Sequence, residues 1–113
     1  MTLAEFHNKL TPEQLELSLY IDKLFLDIAG VSRKIRYRVP FYDYNKWICY
    51  LNPQPHNHFE LCFLDGKALS KTHPELQIKG RKMVAGLLLD AKSDLDIPLI
   101  LSIFDTARLQ QEP

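Results

Sequence analysis

The sequence predicts an α+β domain, an antiparallel sheet of four to six strands with the N- and C-terminal helices packed on one face. Three observations predict it. Leu17, Ile21, Leu24 and Ile28 recur at steps of four, three and four, which marks one face of a helix. From Lys34 the period changes to two: Lys34, Arg36 and Arg38 alternate with Ile35, Tyr37 and Val39, the pattern of a half-buried strand. Near the end, Leu99, Ile100, Ile103, Phe104 and Ala107 return to helical spacing.

Each element has its own local signal. A short helical turn is expected over Leu3 to Lys9. Thr11 is the N-cap of the first long helix, Pro12 its first residue, and Gln14 closes a capping box. Tyr20 and Phe25 widen its apolar stripe, and Gly30 is placed to end it in a left-handed conformation. Pro40 interrupts the strand that begins at Lys34. Phe41 to Tyr44 and Lys46 to Leu51 read as the next strands, with a turn over Asp43 to Lys46. Pro53 and Pro55 forbid helix or central strand between Asn52 and Asn57, so that segment is a loop. Phe59, Leu61 and Phe63 then alternate with His58, Glu60 and Cys62. Asp65-Gly66 is a turn signal. Lys67 to Leu76 reads as irregular or short helical chain, Lys82 to Leu89 as a strand, and Ile97 to Gln110 as a helix capped by Asp96.

The chain has 113 residues, 46% apolar and 25% charged. That length fits one domain with a core large enough to need no disulfide or structural metal. Cys49 and Cys62 are too few for a disulfide framework. No apolar run could span a bilayer and no signal peptide is expected, so the expected location is the cytoplasm.

The zero net charge conceals a division. Residues 1–31 carry two basic and five acidic residues, residues 32–82 ten and four, and residues 83–113 two and five. The sheet region is therefore basic at +6 between two acidic flanks at −3 each. Arg33, Lys34, Arg36 and Arg38 form one cluster, and Lys79, Arg81 and Lys82 another. Such a face either binds an anion or is a solvated strand face whose cations pair with acids on neighbouring strands. Tyr37, Phe41, Tyr42, Tyr44, Trp47 and Tyr50 crowd into the same stretch. Alternation places Tyr42 and Tyr44 on one face and Phe41 on the other, so some of these aromatics must lie at a surface. Tyrosines beside arginines suit a binding surface.

Signals for chemistry are sparse. Both cysteines sit in apolar strand contexts, where a thiol behaves as a small hydrophobe. No phosphate-cradling glycine loop, nucleophile elbow or paired-cysteine motif is present. His58, Glu60 and Cys62 alternate onto one strand face with His56 just before them, but a straight strand spreads these groups too far for one metal ion. His73 and His7 have no local partner.

The stretch Ile35-Arg36-Tyr37-Arg38-Val39-Pro40-Phe41-Tyr42 resembles the signature of the YdhG-like family. Lys46-Trp47-Ile48-Cys49-Tyr50-Leu51, His58-Phe59-Glu60-Leu61, Gly80-Arg81-Lys82 and Leu95-Asp96-Ile97 follow in the family's order. The chain departs at Arg38, where a small residue is usual, and a long cation there extends the basic face. The resemblance implies an α+β fold of the same broad superfamily as bacterial frataxin-like proteins and no established reaction. It also implies an iron-chaperone alternative, in which Glu13, Glu16, Asp27 and His58 would serve as metal ligands.

The expectation is therefore a binding module without catalytic residues or cofactor. Arg36, Arg38, Tyr42, Tyr44, Trp47, Arg81 and Lys82 would hold an anionic small molecule or a protein partner, or a second copy through the open sheet face. Nucleic acid and membrane are not expected partners.

Overall fold

The computed structural model describes residues 1–90 and 95–110. The elements in chain order are α1 (Leu3–Asn8), α2 (Pro12–Leu26), β1 (Ser32–Arg36), β2 (Val39–Tyr44), β3 (Lys46–Pro53), β4 (His58–Phe63), α3 (Gly66–Thr72), β5 (Ala85–Asp90) and α4 (Ile97–Leu109). The fold is α+β, with an antiparallel five-stranded meander in the order β1-β2-β3-β4-β5 and helices at both ends of the chain.

The helix starts form as their sequences dictate. Thr11 and Gln14 make a reciprocal capping box at the head of α2, and Thr2 and Glu5 make another at α1. Asp96 caps α4 by accepting from the Leu99 N–H. Gln14 does more than close its box. Its Nε2 donates to the carbonyls of Gln54 and His58, at 3.1 and 3.0 Å, and so ties α2 to the β3–β4 hairpin.

Leu17, Ile21 and Phe25 of α2, with Ile100, Ile103, Phe104 and Ala107 of α4, pack on one face of the sheet. That face presents Tyr42, Cys49, Leu51, Phe59, Leu61, Phe63 and Leu89. Phe25 sits between the layers, stacked on Phe104 at 4.7 Å and tilted against Tyr42 at 5.0 Å. Among the described residues, no helix is long and apolar enough to cross a membrane.

Several expectations change. The strand expected from Lys34 through Val39 is broken at Tyr37 and Arg38, which form a two-residue hairpin loop between Arg36 and Val39. Lys34 and Arg36 keep one face, and Arg38 leaves it. Pro40 does not end the pairing. It lies within β2 opposite Ile35, before the β2–β3 ladder begins at Phe41 and Tyr50. Tyr20 is exposed rather than part of the core stripe. Gly66 opens α3 instead of a turn; a Cβ there would lie 2.2 Å from the Ala85 nitrogen, so the close approach of α3 to β5 requires glycine. The last strand starts at Ala85 rather than Lys82. Residues 77 to 84 form a strap beside it, held by Gln77 and Gly86 exchanging backbone hydrogen bonds.

Candidate functional site

The helices cover one face of the sheet, and the other carries a continuous set of polar and aromatic side chains. Alternation along the strands brings Arg36, Phe41, Trp47, Tyr50, Cys62 and Glu60 to this open face. A register shift between Tyr42 and Asp43 takes up Ile48 and pairs Asp43 with Trp47. Arg36 lies flat across this corner, its guanidinium 4.3 Å from the Trp47 ring and 5.6 Å from the Phe41 ring. It also meets the Asp43 carboxylate in two hydrogen bonds of 2.8 Å each, which raise the pKa of Arg36. Trp47 stands edge-on to Phe41 at 5.3 Å, and Phe41 stacks on Tyr50 at 4.9 Å.

The ladder continues into a second ion pair. Glu60 is buried, and Arg81 from the strap holds it through two hydrogen bonds of 2.9 Å. Arg81 is itself fixed by the carbonyls of Ile78 and Gln77. Lys79 approaches Glu60 at 3.5 Å, and the Cys62 thiol donates to Glu60 at 3.2 Å. The Arg81 hydrogen bonds hold the Glu60 carboxyl below its ordinary range. Burial pushes the Cys62 thiol and the Tyr50 phenol each up to about 12, and raises the Cys49 thiol well above its ordinary value. Both cysteines are therefore protonated at neutral pH and poor nucleophiles.

Between the two ion pairs runs a cleft of about 310 Å³. Tyr37 of the β1–β2 loop, Phe41 of β2, and Trp47 and Tyr50 of β3 line it, with Leu64 and Val84 toward β5. Tyr37 is 79% exposed and Trp47 43% exposed. A second cleft of about 350 Å³ shares Trp47 and Leu64 and is lined further by Lys46, Asp65, Met83, Ala107 of α4 and Gln110 just after it.

Of the residues expected to bind, Arg36, Trp47 and Arg81 lie on this face or directly over it. Arg38 projects from the β1–β2 loop, and Lys82 is exposed on the strap. Tyr42 and Tyr44 do not belong to this face. Their alternation against Phe41 holds, but the face they share is the one the helices cover. Tyr42 is fully buried and donates to Asp22 at 2.9 Å; burial beside that carboxylate raises its phenol pKa. Arg33 pairs with the same Asp22. Tyr44 lines a separate cavity of about 630 Å³ between the end of α2 and α4, under Arg108.

Tyr37, Phe41 and Tyr50, part of the aromatic crowd but not of the expected binding set, join the face, and so does the Glu60–Arg81 pairing, which the sequence does not announce. Tyr37 counted as an inward strand residue, because neither Asn nor Gly announces the turn that contains it. Alternation groups Glu60 with the histidines. The structure instead commits it to Arg81, far away in sequence.

The iron alternative finds no cluster. Glu13 and Glu16 lie at the start of α2 and Asp27 at its end, about 20 Å away along the helix. His58 is on the opposite face of the sheet, its Nε2 3.7 Å from Asp90. Among the described residues, no three His, Cys, Asp or Glu side chains converge for a metal ion. His73, for which the sequence offers no local partner, is buried at the C-terminal end of α3 and faces Ser102 of α4. Thr72 donates its hydroxyl hydrogen to the Leu69 carbonyl, so it accepts from His73 Nδ1; His73 Nε2 then accepts from Ser102 Oγ at 3.0 Å.

In comparisons with known proteins, no family model, curated protein or solved structure matches the chain.

Proposed function

We propose that the chain is a cytoplasmic, YdhG-like binding module, without catalytic chemistry of its own, whose ligand or protein partner docks on the open face of the sheet. One observation carries this reading. A five-stranded sheet covered on one face leaves the other with an aromatic cleft instead of a uniformly charged surface, and two of its rings, Tyr37 and Trp47, are exposed. Exposed Tyr and Trp beside arginine are the composition of binding hot spots. The charge around the cleft is positive. Lys34, Arg38 and Lys82 are exposed, and among the described residues no ion pair engages them. An anionic ligand or partner suits that rim. The YdhG-like assignment rests on the order of short motifs from Ile35 to Ile97.

Trp47 is the chain's single tryptophan, so its emission reports on the cleft. Titration with non-emitting aromatic carboxylates, inorganic phosphate, ferrous iron and acidic peptides is expected to change that emission for at least one anionic probe, and Tyr37→Ser, which keeps the Trp47 reporter, to weaken that probe's binding at least tenfold. Stabilisation by ferrous iron alone would replace this reading with the iron-chaperone alternative.

A further inference from the structure

Tyr37 and Arg38 make up the whole β1–β2 loop, because Arg36 and Val39 are the last pair of the ladder. Both have positive φ, 51° and 66°. Two-residue hairpin loops of this kind favour Asn and Gly, since a larger side chain is disfavoured in left-handed backbone. In the same sheet, the other left-handed loop positions are Asn45 in the β2–β3 turn and His56 and Asn57 in the β3–β4 loop. Tyr37 and Arg38 are both exposed, so core packing does not compensate for their conformation. Their position is what distinguishes them. The Tyr37 ring stands 6.0 Å from Phe41 and 6.4 Å from Trp47 at the mouth of the cleft, and Arg38 follows it.

Charge and shape select the occupant. The cations on the face itself are already committed, Arg36 to Asp43 and Arg81 to Glu60. A small anion seated among the aromatic rings would have to compete with those carboxylates. The uncommitted cations stand at the rim: Lys34 is paired across the strands with Phe41, Arg38 lies beside Tyr37, and Lys82 is on the strap. The first cleft shares Trp47 and Leu64 with the second, whose lining adds Lys46 and Asp65. We propose that the occupant is an acidic peptide segment of a partner protein. Its aromatic or aliphatic side chain enters between Tyr37 and Trp47, and its carboxylates face Lys34, Arg38 and Lys82. Tyr37 and Arg38 make this contact at the expense of turn stability. This inference rests on the binding-module reading above.

The test uses the full chain and two peptides, acetyl-Asp-Glu-Phe-Pro-Asp-Glu-amide and its counterpart with lysine at every acidic position. Trp47 emission is the readout. The acidic peptide is expected to bind at least tenfold tighter than the basic one. The double variant Tyr37→Asn/Arg38→Gly is expected to raise Tm by about 5 °C, as relief of turn strain in a domain of this size would. The same variant is expected to lose at least tenfold in affinity for the acidic peptide. Opposite signs for stability and binding are the signature, because a purely structural loop would move neither binding nor peptide preference. A lower Tm in the variant, unchanged affinity, or equal binding of the two peptides overturns the inference. If aromatic carboxylates perturb Trp47 and the acidic peptide does not, the peptide inference fails and the binding-module reading stands. No response to any anionic probe overturns both.

Discussion

Glu60 and Arg81 meet across the open face through two hydrogen bonds of 2.9 Å, and a glycine beneath them makes the contact possible. A Cβ on Gly86 would lie 2.1 Å from Glu60 Oε2. Gly86 therefore supplies the space in which a buried carboxylate lies flat against β5 and receives the strap. Gly86→Ala is expected to displace Glu60 and destabilise the domain by about 2–3 kcal/mol. Urea denaturation of the two proteins would measure this.

Removing one partner of that pair has a different outcome from removing both. Arg81→Met leaves Glu60 buried with only the Cys62 thiol and the more distant Lys79, at an expected cost of about 2–3 kcal/mol. Adding Glu60→Leu removes the stranded charge and is expected to recover most of the loss. The comparison separates the value of the pair from the penalty of an orphaned carboxylate.

The same pair makes stability depend on acid. Arg81 lowers the Glu60 pKa in the folded state, whereas an unfolded glutamate titrates near ~4.3. The pair's contribution is therefore fully present above the unfolded value and is lost as pH falls from about 4.3 through the lower folded value. Thermal unfolding between about pH 6 and pH 2 should fall less steeply in the Glu60→Leu/Arg81→Met variant than in the parent.

Gln14 uses both ends of its amide, Oε1 on its own helix start and Nε2 on the β3–β4 hairpin. Gln14→Glu preserves the acceptor and removes the donor. It is expected to leave α2 intact by circular dichroism and to cost about 1–3 kcal/mol, because two carbonyls lose a partner and a carboxylate faces them.

The thiols offer a check on the absence of nucleophilic chemistry from the proposed function. Cys49 and Cys62 are fully buried with raised pKa values. Iodoacetamide at pH 8 should leave the folded protein unlabelled by mass spectrometry over a time that fully alkylates it in urea. Rapid labelling of either cysteine in the folded protein would contradict the burial argument.

Much of the fold was legible because it rests on local rules. Thr11, Pro12 and Gln14 announce α2, Asp96 announces α4, and period-two alternation identifies β2 to β4. The site was less legible because its members depend on which face the helices choose. Alternation separates Tyr42 from Phe41 but does not say which one faces the helices. That choice is made by Asp22 and Phe25, which receive Tyr42 on the helix side. Tyr37 was hidden by an atypical turn. Arg81 reaches Glu60 only because the strap reverses at Lys79 and Gly80, whose φ values are 52° and 73°.

The most direct test of the central claim is a two-dimensional ¹H–¹⁵N NMR titration of the full chain with the acidic peptide, following the backbone amides and the Trp47 indole. The account predicts shifts concentrated at Tyr37, Arg38, Trp47, Tyr50 and Val84, with Tyr44, Ser102 and Arg108 unmoved. Shifts confined to the cavity between Tyr44 and α4, with the Trp47 indole unchanged, would contradict it.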